Sequence, residues 1–202
     1  MHRLVALFVR HGSTTLNDSG KFRGPLDVDL DENGKKQGEE VRDLIRTRGL
    51  SSAFTSSKKR TKQMADIVLR GRDIGHTERK NLDALNVGEY AGQLKTESNL
   101  DAIRYYQRNT DAKIPGGERI KDFQDRVNPE IEAVVKRGKE SGVPAIAFVH
   151  SSIIHQLGAL YHHDHEHVKV KPGGVVGVYE TNTGYTAEPL FKEETKDSDV
   201  VS

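Results

Sequence analysis

Leu4-Val5-Ala6-Leu7-Phe8-Val9 is an unbroken apolar run that stops abruptly at Arg10-His11-Gly12-Ser13. A strand without polar alternation is buried on both faces, the condition of an interior strand in a parallel sheet. The pattern returns at Ala145-Ile146-Ala147-Phe148-Val149, which runs straight into His150-Ser151-Ser152. In open α/β sheets ligands bind outside the carboxyl ends of the strands. Two buried strands that each end in a histidine can therefore converge on one pocket despite their separation in sequence.

The segments around these strands alternate in type. Asp31 to Arg48 carries Val41, Leu44 and Ile45 at helical spacing, with an acidic start and Gly49 just past a basic end. Ala53-Phe54-Thr55 reads as a second strand, and Lys59 to Leu69 as a helix with Met64, Ile67 and Val68 on one face. From Gly71 to Gly117 the apolar positions scatter, which predicts a segment inserted over the sheet with a short helix at Leu100 to Gln107. Asp122 to Arg137 has helical spacing again, with Pro129 either kinking the helix or starting it. Ile153 to Tyr161 predicts the helix after the second histidine. Val175 to Glu180 and Tyr185 to Glu188 predict a hairpin around Asn182-Thr183-Gly184. The expectation is a three-layer α/β sandwich with a largely parallel central sheet, one domain over residues 1–191. Lys192 to Ser202 is charged and aperiodic, and a disordered polar tail is expected there.

Composition excludes several classes of function. Among 202 residues, 31 basic and 30 acidic side chains leave a net charge of +1, so no global field draws the chain to nucleic acid or anionic membrane. Cysteine is absent, which removes disulfides, thiolate metal sites and a cysteine nucleophile. The N-terminal apolar run is too short to span a bilayer and lacks a small-residue cleavage site, which predicts a soluble, cytoplasmic protein.

A phosphoryl group needs its oxygens neutralised, a nucleophile in line and some stabilisation of the leaving group. Arg10 and His11 close the first strand, Gly12 permits close backbone approach, and Ser13, Thr14, Thr15 and Asn17 supply donors in the following loop. Arg60, near the start of a helix, adds a planar fork suited to phosphate, and His150 completes the pocket. Taken singly, each histidine reads as a hydrogen-bonded strand end and Arg60 as a solvated helix residue among lysines. Their combination points to phosphate chemistry.

Arg10-His11-Gly12 with Asn17, Phe22, Gly24, Leu30, Gly34 and Gln37 resembles the signature of the histidine phosphatase (phosphoglycerate-mutase-like) superfamily. Thr55 to Arg60 with Gln63 and Ala65, Leu82 to Gly92, Pro115-Gly116-Gly117-Glu118 with Arg126-Val127, and Val149-His150-Ser151 are similar to its later segments, in family order. The resemblance implies that His11 is the nucleophile and becomes phosphorylated, and that Arg10, Arg60 and His150 hold the phosphoryl group. Gly12, Ser13, Asn17, Arg23, Gly24 and Ser151 join them as phosphate- or substrate-binding residues. It implies no cofactor and no metal. Physical chemistry agrees, because neighbouring arginines depress the pKa of His11 and favour the neutral, nucleophilic ring.

Two positions depart from the family pattern. The usual proton-donating glutamate is replaced by Ala84, leaving Asp83, Glu89 or Glu118 as substitutes, or a substrate whose leaving group departs without full protonation. Lys21-Phe22-Arg23 replaces the more common arginine at the first position and small or amide side chain at the third. The extra basic cluster of the cofactor-dependent mutases is missing between Gly92 and Gly117. A phosphomonoester hydrolase, acting on a phosphorylated small molecule or a phosphoprotein, is therefore preferred. The alternatives are a phosphoglycerate mutase, a phosphoprotein (phosphohistidine) phosphatase and a non-catalytic phosphate-binding module. His162-His163-Asp164-His165-Glu166-His167 has residues that can capture zinc or nickel, but it reads as an exposed loop without an ordered template.

Overall fold

The computed structural model of the chain describes residues 2–15 and 20–190; the tail expected at 192–202 lies outside the described residues. Among the described residues, a six-stranded sheet runs in the order β3-β2-β4-β1-β5-β6. Its members are β1 (Arg3–Arg10), β2 (Ala53–Thr55), β3 (His76–Glu78), β4 (Ala145–Val149), β5 (Val175–Thr181) and β6 (Gly184–Pro189). The first four pair in parallel, whereas β5 lies antiparallel to β1 and forms the predicted hairpin with β6.

Among the described residues there are five α-helices: α1 (Glu32–Leu44), α2 (Lys59–Val68), α3 (Glu97–Arg108), α4 (Ile120–Ser141) and α5 (Ser151–His162). Successive side chains of a strand point to opposite faces, and the core divides accordingly. Leu7, Val9, Ile146 and Phe148 pack with Val41, Ile45, Met64 and Val68 on the face carrying α1 and α2. Val5, Phe8, Ala147 and Val149 pack with Val127, Ile131, Ile153 and Leu157 on the face carrying α4 and α5. β1 and β4 have no solvent-facing side, which is why neither alternates. This is the α/β architecture with a mostly parallel central sheet.

Several boundaries differ from the sequence expectation, each for a physical reason. β3 has only His-Thr-Glu at the sheet edge, with no apolar signature to betray it. α3 begins at Glu97, where Thr96 accepts from Asn99 N–H as its N-cap, so it is longer than the apolar positions suggest. Pro129 lies inside α4, which runs through it; the backbone hydrogen bond a proline cannot donate is absent there. α5 starts at Ser151, with His150 as the residue before its first turn. Among the described residues no helix is long and apolar enough to cross a membrane.

Register places the site. In the parallel β1–β4 ladder Arg10 stands opposite Val149, so His11 and His150, the next residues, leave the sheet side by side. His11 N–H continues the ladder to Val149 O at 3.0 Å. β2 flanks β4 on the other side with Thr55 opposite Phe148, which brings Ser56 to the same edge. The helix after β1 packs on one face and the helix after β4 on the other, so a crevice opens between these neighbours.

Candidate active site

His11 and His150 are each 2% exposed, and their rings meet edge to face with centroids 5.4 Å apart. His11 Nδ1 lies 2.7 Å from the carbonyl oxygen of Gly12. A carbonyl only accepts, so Nδ1 carries the proton of the neutral ring and Nε2 keeps its lone pair. Burial first, then the charges of Arg60 and Arg23, hold the His11 pKa well below the usual histidine value. The same holds for His150, where burial is followed by Arg60 and by His11 itself. Two neutral imidazoles therefore sit at the base of a strongly cationic site.

His150 is fixed by a neighbour the sequence did not single out. Its Nε2 lies 2.8 Å from Ser56 Oγ, which in turn is 2.8 Å from Thr61 Oγ1 on α2. Thr61 donates to Lys58 O at 2.7 Å, and Lys58 N–H donates to Ser56 Oγ at 3.2 Å. Ser56 thus ties the second histidine to the first turn of α2, the turn that also carries Arg60. Arg60 is 1% exposed and donates to Leu26 O at 2.5 Å and Gly24 O at 3.3 Å. Among the described residues, Arg10 Nε, Arg60 Nε and His150 Nδ1 are buried with no hydrogen-bond partner. Polar atoms left so are costly, and a site that retains them is arranged for an acceptor that arrives with the ligand.

A cavity of about 270 Å³ opens above the two histidines. Arg23, Arg60 and Lys95 bring cationic groups to its wall, with Gly24, Ala84 and Ser151 beside them. Phe22, Leu85, Val87, Leu100, Ile103 and Phe123 add apolar surface to its lining. Arg23 donates to Thr14 Oγ1 at 3.2 Å. Burial and the charge of Arg23 push Arg60 down to about 10, and the same two causes push Arg10 down to about 10. Lys95 is lowered as well, by burial and then by Arg23. This accumulation of like charge is relieved by binding an anion.

Other predicted residues are placed differently. Arg10 is not on the cavity wall, and its guanidinium donates to Val170 O at 2.7 Å. Ser13 donates its hydroxyl to Asp31 at 2.7 Å and its N–H to Gln37 at 2.8 Å, anchoring the loop to α1. Gly12 allows close approach to α1: a Cβ there would lie 2.5 Å from Gly34 O. Asn17 lies outside the described residues.

None of the three carboxylates considered as replacement acids lines the cavity. Asp83 accepts from the backbone and hydroxyl of Ser57 at 2.8 Å and pairs with Lys58 at 3.6 Å. Glu118 accepts two bonds from Arg126, at 2.7 and 3.1 Å, and one from Asn86 N–H at 2.7 Å. Glu89 is exposed.

The wall instead includes groups that the sequence left out. His155 follows Ser151 by one helical turn on the same face of α5 and lines the cavity, with Nδ1 2.9 Å from His165 O. His165 and Glu166, from the histidine-rich segment, form part of the rim. Elsewhere in that segment His162 stacks on His167 at 3.9 Å, and its Nε2 lies 2.9 Å from Ala187 O and 3.2 Å from Ala187 N. Among the described residues no three His, Cys, Asp or Glu side chains are grouped to hold a metal ion. Lys95 comes from the aperiodic stretch between Gly92 and Gly117, where no basic cluster was expected; a single lysine of that stretch reaches the site.

Residues 6–181 match the model of the histidine phosphatase superfamily (branch 1). A 2,3-bisphosphoglycerate-dependent phosphoglycerate mutase of Gloeobacter violaceus is 28% identical over 144 residues, covering 64% of this chain and 66% of that protein. A probable phosphoglycerate mutase of Citrobacter koseri is 28% identical over 147 residues, 66% of this chain and 64% of its own length. The chain thus spans slightly less than two thirds of each relative. Among solved structures, phosphoglycerate mutase from Bacillus anthracis superposes with a TM-score of 0.77 at 21% identity, covering 94% of this chain and 93% of that one. An Escherichia coli protein provisionally assigned as an alpha-ribazole-5'-P phosphatase gives 0.73 at 21%, covering 94% and 97%. At these identities the structural matches establish the fold alone.

Proposed function

The chain belongs to the histidine phosphatase superfamily (branch 1), and from that premise we propose that it is a metal-independent phosphomonoester hydrolase that works through a phosphohistidine on His11. The observation that carries this reading is the hydrogen bond from His11 Nδ1 to Gly12 O in a buried, cation-lined site. It leaves Nε2 as a neutral nucleophile with no need for a separate base. Attack by Nε2 on phosphorus forms the N–P bond and releases the leaving oxygen. Water then attacks the phosphorus, and the N–P electron pair returns to the ring.

Arg60 and His150 are suited to hold the phosphoryl oxygens, since both line the cavity and keep a buried nitrogen without a protein partner. Arg10, whose Nε is likewise buried without a protein partner, adds a cation that stabilises the neutral state of His11. Ser151 lies at the N-terminus of α5, where backbone N–H groups favour an anion. The phosphoglycerate mutase reading is favoured by one further feature: Lys95 adds a third cation to the wall, beside Arg23 and Arg60, suited to a carboxylate or second phosphate.

The test is hydrolysis of p-nitrophenyl phosphate with chelator present, by wild type and His11→Ala, followed by acid quench for labelled protein. Activity lost in His11→Ala, with acid-labile phosphate on wild type, is expected. Turnover that survives the substitution refutes the mechanism. Transfer between positions of phosphoglycerate exceeding hydrolysis would establish the mutase.

A further inference from the structure

A leaving oxygen that departs from phosphorus is stabilised either by a proton or by a positive charge that stays in place. Among the described residues the only carboxylate on the cavity wall is Glu166, at the rim, where its side chain is 66% exposed and paired with Lys169. Asp83 and Glu118 are held elsewhere by the hydrogen bonds given above. The opposite resource is abundant, and Arg23 is central to it. Its guanidinium lines the cavity together with His11, Arg60 and His150, and its charge acts on all three as well as on Arg10 and Lys95.

The backbone explains how Arg23 reaches this position. Gly24 has φ +49°, and a Cβ there would lie 2.7 Å from Val87 Cγ2 and 3.4 Å from Leu85 O. The backbone at Gly24 therefore lies directly against Leu85 and Val87, and Arg23 and Ala84, the neighbours of these residues in sequence, line the same cavity. Where the 84–87 loop offers no acid, the adjacent strand of loop offers a permanent cation.

We propose that Arg23 stabilises the leaving-group oxygen as an anion, and that the substrates of this site are phosphate esters of acidic hydroxyls, aryl phosphates foremost. This rests on the phosphohistidine reading and refines it. In the first step the P–O bond breaks as the His11 N–P bond forms, and the electron pair leaves on an aryloxide paired with the Arg23 guanidinium. In the second, water oxygen bonds to phosphorus, the N–P pair returns to His11 Nε2, and the water proton ends on a phosphoryl oxygen. An aryl phosphate dianion and water thus give an aryloxide and dihydrogen phosphate, with charge conserved. Phe22, Leu85, Val87, Leu100, Ile103 and Phe123 give the cavity an apolar lining that suits an aryl group.

The experiment measures kcat/KM for a series of substituted phenyl phosphates, from dinitrophenyl to unsubstituted phenyl, in wild type, Arg23→Gln and Arg23→Lys. In wild type the rate should fall steeply as the leaving-group pKa rises. In Arg23→Gln the loss should grow along the series, smallest for the dinitrophenyl ester and about a hundredfold greater for phenyl phosphate. Arg23→Lys should lie between. If Arg23→Gln does not fold, the lysine variant gives the same comparison. A loss equal at every member, or a wild-type rate indifferent to leaving-group pKa, overturns the proposal. Absence of acid-labile phosphate on His11 during turnover defeats the underlying reading instead, whatever the slopes, and this proposal with it.

Discussion

Ser56 Oγ stands 2.8 Å from His150 Nε2, and through it a residue at the end of β2 orients a residue at the end of β4. The contact links the second histidine to the turn bearing Arg60, so the two groups proposed to hold the phosphoryl oxygens are positioned as one unit. In the buried site it is also the contact that decides which ring nitrogen of His150 remains available.

Removing that link should impair catalysis more than folding. Ser56→Ala deletes one buried hydrogen bond, worth about 1–3 kcal/mol when a buried partner is left unsatisfied. Steady-state kinetics on p-nitrophenyl phosphate should show kcat/KM reduced by roughly ten- to a hundredfold. Unchanged kinetics would show that His150 needs no such support.

The pH dependence follows from the depressed pKa values of His11 and His150. The reactive form is neutral, and protonation in the folded protein is displaced to lower pH. Phosphoenzyme formation should therefore hold its rate down through about pH 6.5, the usual histidine value, and fall only below it. Stability carries the same sign. Between the folded and unfolded values the unfolded chain binds more protons, so stability is lost as pH falls from about 6.5 toward the folded pKa. A rate profile with its acid limb centred at or above about 6.5 would contradict the buried, cation-flanked environment.

Inorganic phosphate or vanadate should stabilise the fold, because the anion offsets repulsion among Arg10, Arg23 and Arg60. At a hundred times the dissociation constant the gain is about 2.7 kcal/mol, or roughly 5–10 °C in Tm for a chain of this size. In Arg60→Ala the shift should vanish. An equal shift in both proteins would place the anion elsewhere.

Glu118→Gln separates a structural carboxylate from a catalytic one. The Glu118–Arg126 pair is largely buried, with side chains 17% and 24% exposed. Breaking it should cost about 2–3 kcal/mol and lower Tm by roughly 5–10 °C, while the folded enzyme keeps its kcat. A collapse of kcat at unchanged Tm would make Glu118 the proton donor.

The two interior strands were legible because burial on both faces leaves no room for polar alternation, and the hairpin because its turn residues sit between alternating runs. β3 was not, since three polar residues at a sheet edge have no periodicity. The start of α5 at Ser151 was also obscured, because Ser151 and Ser152 look like loop until the apolar face begins at Ile153.

For the site, two similar strand ends were enough to single out His11 and His150 together, whereas Arg60, a solvated helix residue by local chemistry, stood out only through its place in the family motif. Which groups share the wall with them was decided only by the tertiary structure. Glu118 is drawn away by Arg126, Arg10 by Val170 O, and Ser13 by Asp31. Lys95 and His155 are brought in from an aperiodic stretch and the second turn of a helix, beside Arg23, which the family resemblance already named. Side-chain patterns record which face of an element is buried, and the sequence carries that much by itself. Whether a charged group faces a cavity or a partner depends on how distant segments pack, and no spacing along the chain encodes that competition.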